Sequence, residues 1–483
     1  MIIGISSVVK VNFFRKMGFG LGPGDETPHN PIAWAKDQMN TVPDLIWDGD
    51  IPTEKLLMDQ YAKWVTTDRR VLRDQYKGDR EGYERAKDAL RNEVGERYYE
   101  NLELCIRHNT ALKSGAPCFE RLWFFWCNHF AIIEKDFLAE FSTGPYHRNI
   151  IRPRMTGRFV DMVKAVTTSW AMIHNLDNSE SIGPNSERGR RRRQQGRVVS
   201  VNENHARELM ELHTVSPSAG YTQDDVVALS YIMAGWEHPW SKNREECNPV
   251  KFNPKKHEPG VHTVLGIPYK QKGISSKNKL MDVIDDLAEH PSTREFIAFK
   301  LCRHFITDHP TDAMTAPIIK AWEESDGNLP AIHKALIDVI YEYTDKEMKF
   351  QNPEVWFLQS VKLTNAKWPP QAEDMVYDFK SKPNYLKRRP EKLMREIGHL
   401  PYRPIQPNGF SDLERDWISP ELLIRRLAIP QEMSSYIRGQ IDFDEIIQKN
   451  CNAPIEYRVE VKGMKNQLKK LQYFFPSYWM LKA

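Results

Sequence analysis

The sequence has few cysteines and lacks the long apolar run of a membrane protein. Its six cysteines contain no C-x-x-C pair, which argues against a zinc knuckle or a thioredoxin-like site. No stretch approaches the roughly 18 apolar residues that a spanning helix needs. The N-terminal MIIGISSVVKVNFF has no basic residue before its apolar run and no small-residue cleavage pattern, so no cleavable signal peptide is predicted. We expect a soluble protein and leave its compartment open.

The sequence also lacks a strong net charge and a phosphate-binding loop. Lys and Arg number 68 against 65 Asp and Glu, and a net charge of +3 is too small to indicate nucleic-acid binding. MGFGLGPGD fits neither G-x-G-x-x-G nor the P-loop pattern. The one local asymmetry is ERGRRRRQQGR at 187–197. Because like charges repel, we expect a mobile loop over 179–200, which is either simply solvated or a tether for an anion or nucleic acid.

Helical periodicity dominates what is present. It predicts a mainly α protein, with one large helical domain over 1–430 and a small C-terminal appendage over 431–483, where YRVEVKG is a candidate edge strand. Over about 236–275 the prolines interrupt any helical repeat. We expect an irregular or β-ribbon excursion there, of the kind that often serves as a lid. Helices are predicted from Pro31 to about Ile133 and over 151–175, 202–213, 223–234, 278–289, 292–306, 313–325, 330–343, 352–364, 371–379 and 420–428.

The predicted helix in VNENHARELMELHT carries an unusual set of polar side chains. At about 100° per residue, its apolar face includes His213. The opposite side forms one continuous polar stripe: Glu203, Asn204, Arg207, Glu208 and Glu211. The stripe is either a solvated face held by i,i+4 salt bridges or a catalytic face that turns inward.

A second predicted helix favours the alternative in which the polar stripe faces the protein interior. RLWFFWCNHFAII at 121–133 is apolar on every side, as expected of a helix that is buried all round. Its Asn128 and His129 need partners, because an unsatisfied buried polar group costs about 1–3 kcal/mol. If the partners are Glu208 and Glu211, the protein holds a buried carboxylate, imidazole and amide cluster. Acid–base or metal chemistry is typical of such clusters.

Several segments together resemble a bacterial family called domain of unknown function 1800. RLWFFWCNHFA, IRPRMTGRF, NENHARELMELHT, GYTQDDVVALSYIMAGW, HPSTREFIAFKLCRHFITD and LPYRPIQPNGFSD occur in the order and approximate spacing of that family, over about residues 13–430. No biochemical activity is established for the family. Many of its members are exported and encoded beside a sulfatase-like protein. The resemblance therefore implies cell-envelope or secreted-polymer chemistry and a sulfatase-like partner.

The resemblance also implies a set of site residues. The family motif covers the polar stripe, His213, Asn128 and His129, whereas His205 stands where the family usually has tyrosine and is left out of the site. The family's loop pattern appears here as Phe252, His257, Glu258 and Gly260. If this loop descends onto the cluster, the side chains form a nitrogen and oxygen set suited to one divalent Zn, Fe or Mn ion. The expected metal ligands are His129, His257 and Glu208, with His213 nearby in a more structural role.

Two main functions remain open from the sequence. One is a metal- or carboxylate-assisted hydrolase or transferase acting on an envelope or secreted polymer. In it Glu208 or Glu211 is the general base, Arg207 steadies an anionic group, and the other catalytic residues are Glu203, Asn204 and Asn128. The other is a non-catalytic binding or assembly partner, in which the cluster specifies packing. Nucleic-acid binding through the arginine-rich segment is a third alternative.

Overall fold

The computed structural model describes residues 10–63, 67–93, 96–133, 135, 137–238, 250–270, 277–372 and 390–483. Within these ranges it contains 24 α-helices and four short strands, so the mainly α prediction is confirmed. The first thirteen helices are α1 Asn12–Met17, α2 Pro31–Asp37, α3 Glu54–Lys63, α4 Arg69–Gln75, α5 Arg80–Glu93, α6 Glu96–Lys113, α7 Pro117–His129, α8 Phe137–Pro145, α9 Phe159–Thr167, α10 Trp170–Asn175, α11 Glu187–Gln194, α12 Asn204–Glu208 and α13 Gln223–Met233.

The second half of the chain is equally helical. Its helices are α14 Lys277–Glu289, α15 Pro291–Phe305, α16 Asp312–Ser325, α17 Leu329–Tyr343, α18 Pro353–Thr364, α19 Pro390–Glu396, α20 Pro420–Met433, α21 Phe443–Asn450, α22 Ile455–Gly463, α23 Gln467–Phe474 and α24 Tyr478–Leu481. None of the described helices is long and apolar enough to cross a membrane. The helix predicted at 371–379 lies mostly outside the described residues.

Local sequence signals set many of the helix starts. Thr222 and Asp225 form the predicted capping box of α13, in which each side chain bonds the other residue's backbone N–H. Ser419 caps α20, with Pro420 in the first turn. Such caps satisfy backbone N–H groups that a helix end leaves unpaired, and they fix where each helix begins.

One main core joins the helices, and α7 runs through it. The indole rings of Trp123 and Trp126 are almost fully buried, as expected of a helix that is apolar on every side. The same core includes Phe13 near the N-terminus and Met480 near the C-terminus. Helix α7 is therefore packed on all sides, and any polar group it carries must find a partner within the protein.

The C-terminal segment is part of this core. YRVEVKG, predicted as an edge strand, lies in helix α22. The buried Arg15 guanidinium of α1 donates hydrogen bonds to the backbone oxygens of Trp479 and Met480, the latter at 2.6 Å. The end of the chain therefore packs against α1, near its beginning.

The predicted excursion after α13 contains two β-hairpins, in the part of it that the structure describes. Strands β1 Trp236–Glu237 and β2 Lys251–Phe252 pair antiparallel, and β3 His262–Val264 pairs with β4 Ile267–Tyr269. The second hairpin is tied down, because the Leu265 backbone N–H donates to Asp225 at 2.7 Å. Residues 239–249 and 271–276 of the predicted excursion lie outside the described residues.

Candidate functional site

The predicted polar stripe lies on the outer side of its helix. Arg207 donates to Glu203 at 3.1 Å and to Gln223 at 2.8 Å, and Gln223 donates to Glu203 at 2.6 Å. The side chains of Glu203 and Arg207 remain 35% and 38% exposed. Glu203 and Arg207 therefore form the i,i+4 salt bridge of a solvated face. Gln223 links this pair to the start of α13.

Asn204 and Glu211, two further stripe residues, also have surroundings other than α7. Asn204 is exposed, and Glu211 accepts a hydrogen bond from the Tyr221 hydroxyl at 3.2 Å. Partial burial and the neighbouring Glu211 raise the pKa of Glu208, against the opposing effect of Arg207. None of the hydrogen bonds and ion pairs of the described residues joins the stripe to Asn128 or His129. The prediction that Glu208 and Glu211 are the partners of Asn128 and His129 is wrong, because both residues bond other groups.

The backbone of this segment departs from a single α-helix. The segment predicted as one α-helix over 202–213 is α-helical only over Asn204–Glu208 and continues as a π-helical turn over Leu209–His213. A π turn is wider than an α turn. His213 is nevertheless buried in the core, as its predicted place on the apolar face requires, and Glu211 accepts from Tyr221 on the polar side. The division into two faces is therefore right, and the error lies in which residues the polar face contacts.

His129 finds partners other than the predicted carboxylates. Its Nε2 donates to the His213 backbone oxygen at 3.3 Å, and its Nδ1 accepts from the Lys300 ammonium at 3.0 Å. Burial, with Lys300 and His213 nearby, lowers the pKa of His129 well below its ordinary value. The helix and the 202–213 segment do contact each other, but through this histidine pair. Both ring nitrogens of His129 are occupied, which leaves none for a metal ion.

Asn128 holds a loop. Its Nδ2 donates to the Phe410 backbone oxygen at 2.9 Å, and its Oδ1 accepts from the Phe410 backbone N–H at 2.8 Å. Gly409 sits so close that an added Cβ would lie 2.4 Å from the Asn128 backbone oxygen. Asn128 therefore clamps the chain between residues 398 and 412 onto α7, and we interpret it as a positioning residue.

The predicted metal ligands are not brought together. The Nδ1 of His257 donates to the Ala234 backbone oxygen at 3.0 Å, and Glu258 accepts from the backbone N–H and the side-chain amide of Asn185. His213 is buried in the core, where desolvation lowers its pKa to about 3. The described residues contain no group of three or more His, Cys, Asp or Glu side chains that could hold a metal ion. The set His129, His257 and Glu208 is therefore not assembled, and we derive no step through a metal.

A different pair forms a buried imidazole–carboxylate hydrogen bond. His304 of α15 donates from Nδ1 to Asp412 Oδ1 at 2.6 Å, and both side chains are largely buried. Burial lowers the pKa of His304 despite the neighbouring carboxylate. Burial acts to raise the pKa of Asp412, but His304, Lys349 and Lys300 together hold it below its ordinary value. At neutral pH the pair is a neutral imidazole beside a carboxylate, and its Nε2 has no hydrogen-bond partner.

Arg121 lies beside this pair without a carboxylate partner. It is 3% exposed, and its one hydrogen bond, to the Lys16 backbone oxygen, is long at 3.4 Å. Its Nε and Nη1 atoms have no hydrogen-bond partner among the described residues. Burial lowers the pKa of Arg121 to about 10, so the guanidinium stays charged at neutral pH. A buried cation with free donors favours an anion or a polarised oxygen next to it.

Two small adjoining cavities connect these groups. One of about 20 Å³ is lined by residues that include Asn128, His304 and Asp412, and the other, of about 10 Å³, by residues that include Arg121, His304 and Asp412. Each volume is close to that of a single water molecule. We call Arg121, Asn128, His304 and Asp412 the polar centre.

Sequence reasoning missed three of these four residues. Arg121 begins the apolar stretch RLWFFW, His304 lies in KLCRHF, and Asp412 ends the loop NGFSD. All three segments contributed to the family resemblance. No site residue was predicted in KLCRHF or NGFSD. For Arg121 the available signal was a charged side chain at the start of an apolar stretch, which a buried position makes costly. His304 and Asp412 stand beside other polar residues in the sequence and gave no such signal.

The fold and the polar centre define a large helical protein with a buried, charged interior site. The chain belongs to the family described as Protein of unknown function (DUF1800), whose sequence profile matches residues 12–474. This match spans nearly the whole chain, including the segment that was expected to be a separate appendage. No curated protein and no solved structure matches the chain.

Proposed function

We propose that the protein is a hydrolase or transferase in which His304 is the general base. The observation that carries this proposal is a buried imidazole whose Nδ1 is held by Asp412 at 2.6 Å while its Nε2 has no partner. A carboxylate at Nδ1 fixes the tautomer and leaves the lone pair of Nε2 free to accept a proton. The carboxylate assistance expected from Glu208 or Glu211 is then supplied by Asp412.

The chemistry follows from the groups around the imidazole. His304 takes a proton from water or from a substrate hydroxyl as its oxygen attacks, and returns the proton to the leaving group. Asp412 stabilises the imidazolium that forms in between. The free Nε and Nη1 groups of Arg121 donate to negative charge that develops on the reacting centre, where low dielectric makes this interaction strong.

The size of the cavities sets how a substrate reaches the centre. Because they hold about one water molecule each, a substrate enters only when the chain around Phe410 moves away from α7. Two hydrogen bonds from Asn128 hold that chain in place. The substrate that we propose, from the family resemblance, is a cell-envelope or secreted polymer.

A turnover screen tests this proposal. Wild-type protein is assayed on chromogenic carboxylic esters, phosphate esters and glycosides beside H304Q and D412N. The matched control is H309Q, since His309 is exposed and five residues further along the chain. We expect turnover on at least one class, a loss of roughly 100-fold or more in H304Q, and no change in H309Q. Turnover on no class, or equal turnover in H304Q, contradicts the proposal.

A second candidate function, a non-catalytic assembly partner, is favoured by one surface. Helix α20 exposes Ile424 and Leu427 at 64% and 51%, three residues apart on the same side. An exposed apolar face of this kind suits a protein partner, and the family resemblance points to a sulfatase-like protein. Co-purification with such a protein that is lost in I424D, together with no turnover, supports this alternative.

A further inference from the structure

A basic groove lies on the surface beside α11. It has a volume of about 440 Å³, and it shares no lining residue with the polar centre. Arg188, Arg191 and Arg192 stand at positions i, i+3 and i+4, which places them on one side of the helix. We define the arginine groove by its lining residues: Glu187, Arg188, Arg191, Arg192, Gln195, Arg197, Asn253 and Lys255.

The segment that carries these arginines is an ordered helix, although its charge predicted a mobile loop. Ser186 caps α11 by accepting from the Gly189 backbone N–H at 3.0 Å. The Arg188 backbone N–H donates to the Lys255 backbone oxygen at 2.8 Å. Glu258, almost fully buried, accepts from the Asn185 backbone N–H at 2.7 Å and from its side-chain amide at 2.6 Å. These bonds outweigh the repulsion between the arginines and fix the helix against the turn before β3.

Close packing reinforces this arrangement. A Cβ on Gly189 would lie 2.2 Å from the Gly183 backbone oxygen, so only glycine allows α11 to approach the preceding turn so closely. The arginine side chains therefore project from a scaffold that is fixed on its inner side by capping, by tertiary hydrogen bonds and by backbone contact.

The charges in the groove are poorly balanced. Glu187, the one carboxylate among the described lining residues, pairs with Lys255 at 3.4 Å. Within the part of the chain that the structure describes, no hydrogen bond or ion pair engages the guanidinium groups of Arg188, Arg191, Arg192 or Arg197. Like charges at i,i+4 destabilise a helix, so the cluster opposes folding. A multiply charged anion in the groove would relieve this repulsion.

The lining also indicates what kind of anion fits. Among the described residues, none of those lining the groove carries an aromatic ring on which a nucleobase could stack. Gln195 supplies an amide that bonds hydroxyl groups, and the planar guanidinium forks match carboxylate, sulfate or phosphate oxygens. Four free guanidinium groups in one groove fit successive anionic groups along a chain better than one small ion.

We propose that the arginine groove binds an anionic polysaccharide, that is, a hydroxyl-rich chain with repeated carboxylate, sulfate or phosphate groups. This binding site is separate from the polar centre and does not depend on turnover there. The interaction is mainly electrostatic, so the affinity falls as the salt concentration rises.

Binding of the full chain to defined polymers tests the proposal. The probes are heparin and polygalacturonate as sulfated and carboxylated chains, dextran as the neutral chain, and single-stranded oligothymidine as the nucleic acid. Kd is measured for the wild type and for two double variants, R191Q/R192Q and R190Q/R193Q. Each variant removes two charges from α11, but Arg190 and Arg193 already donate to the backbone oxygens of Asn185 and Pro184. This makes R190Q/R193Q a matched control.

We expect binding to heparin or polygalacturonate but not to dextran. R191Q/R192Q should weaken Kd roughly tenfold or more, and R190Q/R193Q by less than about threefold, with the helical circular dichroism unchanged. The proposal is overturned if neither charged polysaccharide binds, if both double variants lose affinity equally, or if oligothymidine binds more tightly than both polysaccharides.

Discussion

Arg107 and Glu354 are joined in the interior by two hydrogen bonds, of 2.7 Å at Nε and 3.1 Å at Nη2. Both side chains are almost fully buried, and His108 adds a third contact to the same carboxylate at 3.1 Å. Burial alone would raise the pKa of Glu354, but Arg107 and His108 hold it well below its ordinary value. Each charge in this pair is matched, which is the usual condition for charges inside a protein. Among the described residues, Arg121 on the next helix, α7, forms no salt bridge with a carboxylate.

This contrast predicts opposite effects for two similar substitutions. R107M leaves the Glu354 charge buried and uncompensated, so the free energy of unfolding should fall by about 3–5 kcal/mol. R121M removes an unmatched buried charge and should change the free energy of unfolding by less than about 1 kcal/mol, or raise it. Urea unfolding at neutral pH measures both. An R121M variant as unstable as R107M would show that Arg121 serves the fold rather than a ligand.

Buried neutral histidines predict that the protein loses stability in mild acid. Desolvation lowers the pKa of His205 and of His333 to about 3 in the folded protein, against about 6.5 in an unfolded chain. Between these values the unfolded state binds more protons, so stability is full above about pH 6.5 and falls as the pH drops toward 3. Each such group contributes a slope of up to about 1.4 kcal/mol per pH unit.

H205L tests this linkage, since neither ring nitrogen of His205 has a hydrogen-bond partner. The free energy of unfolding is measured by urea between pH 7 and pH 4. We expect a shallower loss with falling pH in H205L than in the wild type. The matched control is H29L, because His29 is exposed and should leave the slope unchanged. Equal slopes in the wild type and H205L would contradict this account.

The clamp between Asn128 and Phe410 predicts how firmly the loop is held. N128A removes both hydrogen bonds to the Phe410 backbone and should lower the local opening free energy by about 1–3 kcal/mol. Hydrogen exchange at the Phe410 amide should then be roughly 5- to 100-fold faster. N204A is the control, because Asn204 is exposed on another helix. Unchanged exchange at Phe410 in N128A would show that other contacts hold the loop.

Much of the fold was predictable because local signals and tertiary packing agree. Hydrophobic periodicity, capping residues and first-turn prolines predicted the positions of most helices. The capping box of Thr222 and Asp225 formed as predicted. Two segments failed for opposite reasons. YRVEVKG alternates like a strand, yet it is helical, with Arg458 paired to Asp444 of α21 at 2.9 Å. ERGRRRRQ carries a concentration of positive charge that is typical of loops. It is nevertheless helical, because Ser186 caps it and its backbone bonds the turn at residue 255.

The site was less predictable, because periodicity shows that a buried group needs a partner without showing which one. The sequence correctly predicted that the buried His129 needs hydrogen-bond partners. Those partners are a lysine 171 residues away and a backbone oxygen. His304 and Asp412 are 108 residues apart, and Asp412 lies in an irregular segment. No helical pattern relates such positions. The π-helical turn after Glu208 also has no clear sequence signal.

The central claim is that the reacting centre lies at His304 and Asp412, and not at the carboxylates of the 203–211 stripe. The most direct test compares H304Q with E208Q on a chromogenic substrate that the wild type turns over, with thermal unfolding midpoints recorded for both. The account predicts that H304Q loses roughly 100-fold or more of kcat while staying folded, and that E208Q stays within about threefold of the wild type. A folded E208Q variant without turnover, beside an active H304Q variant, would contradict it.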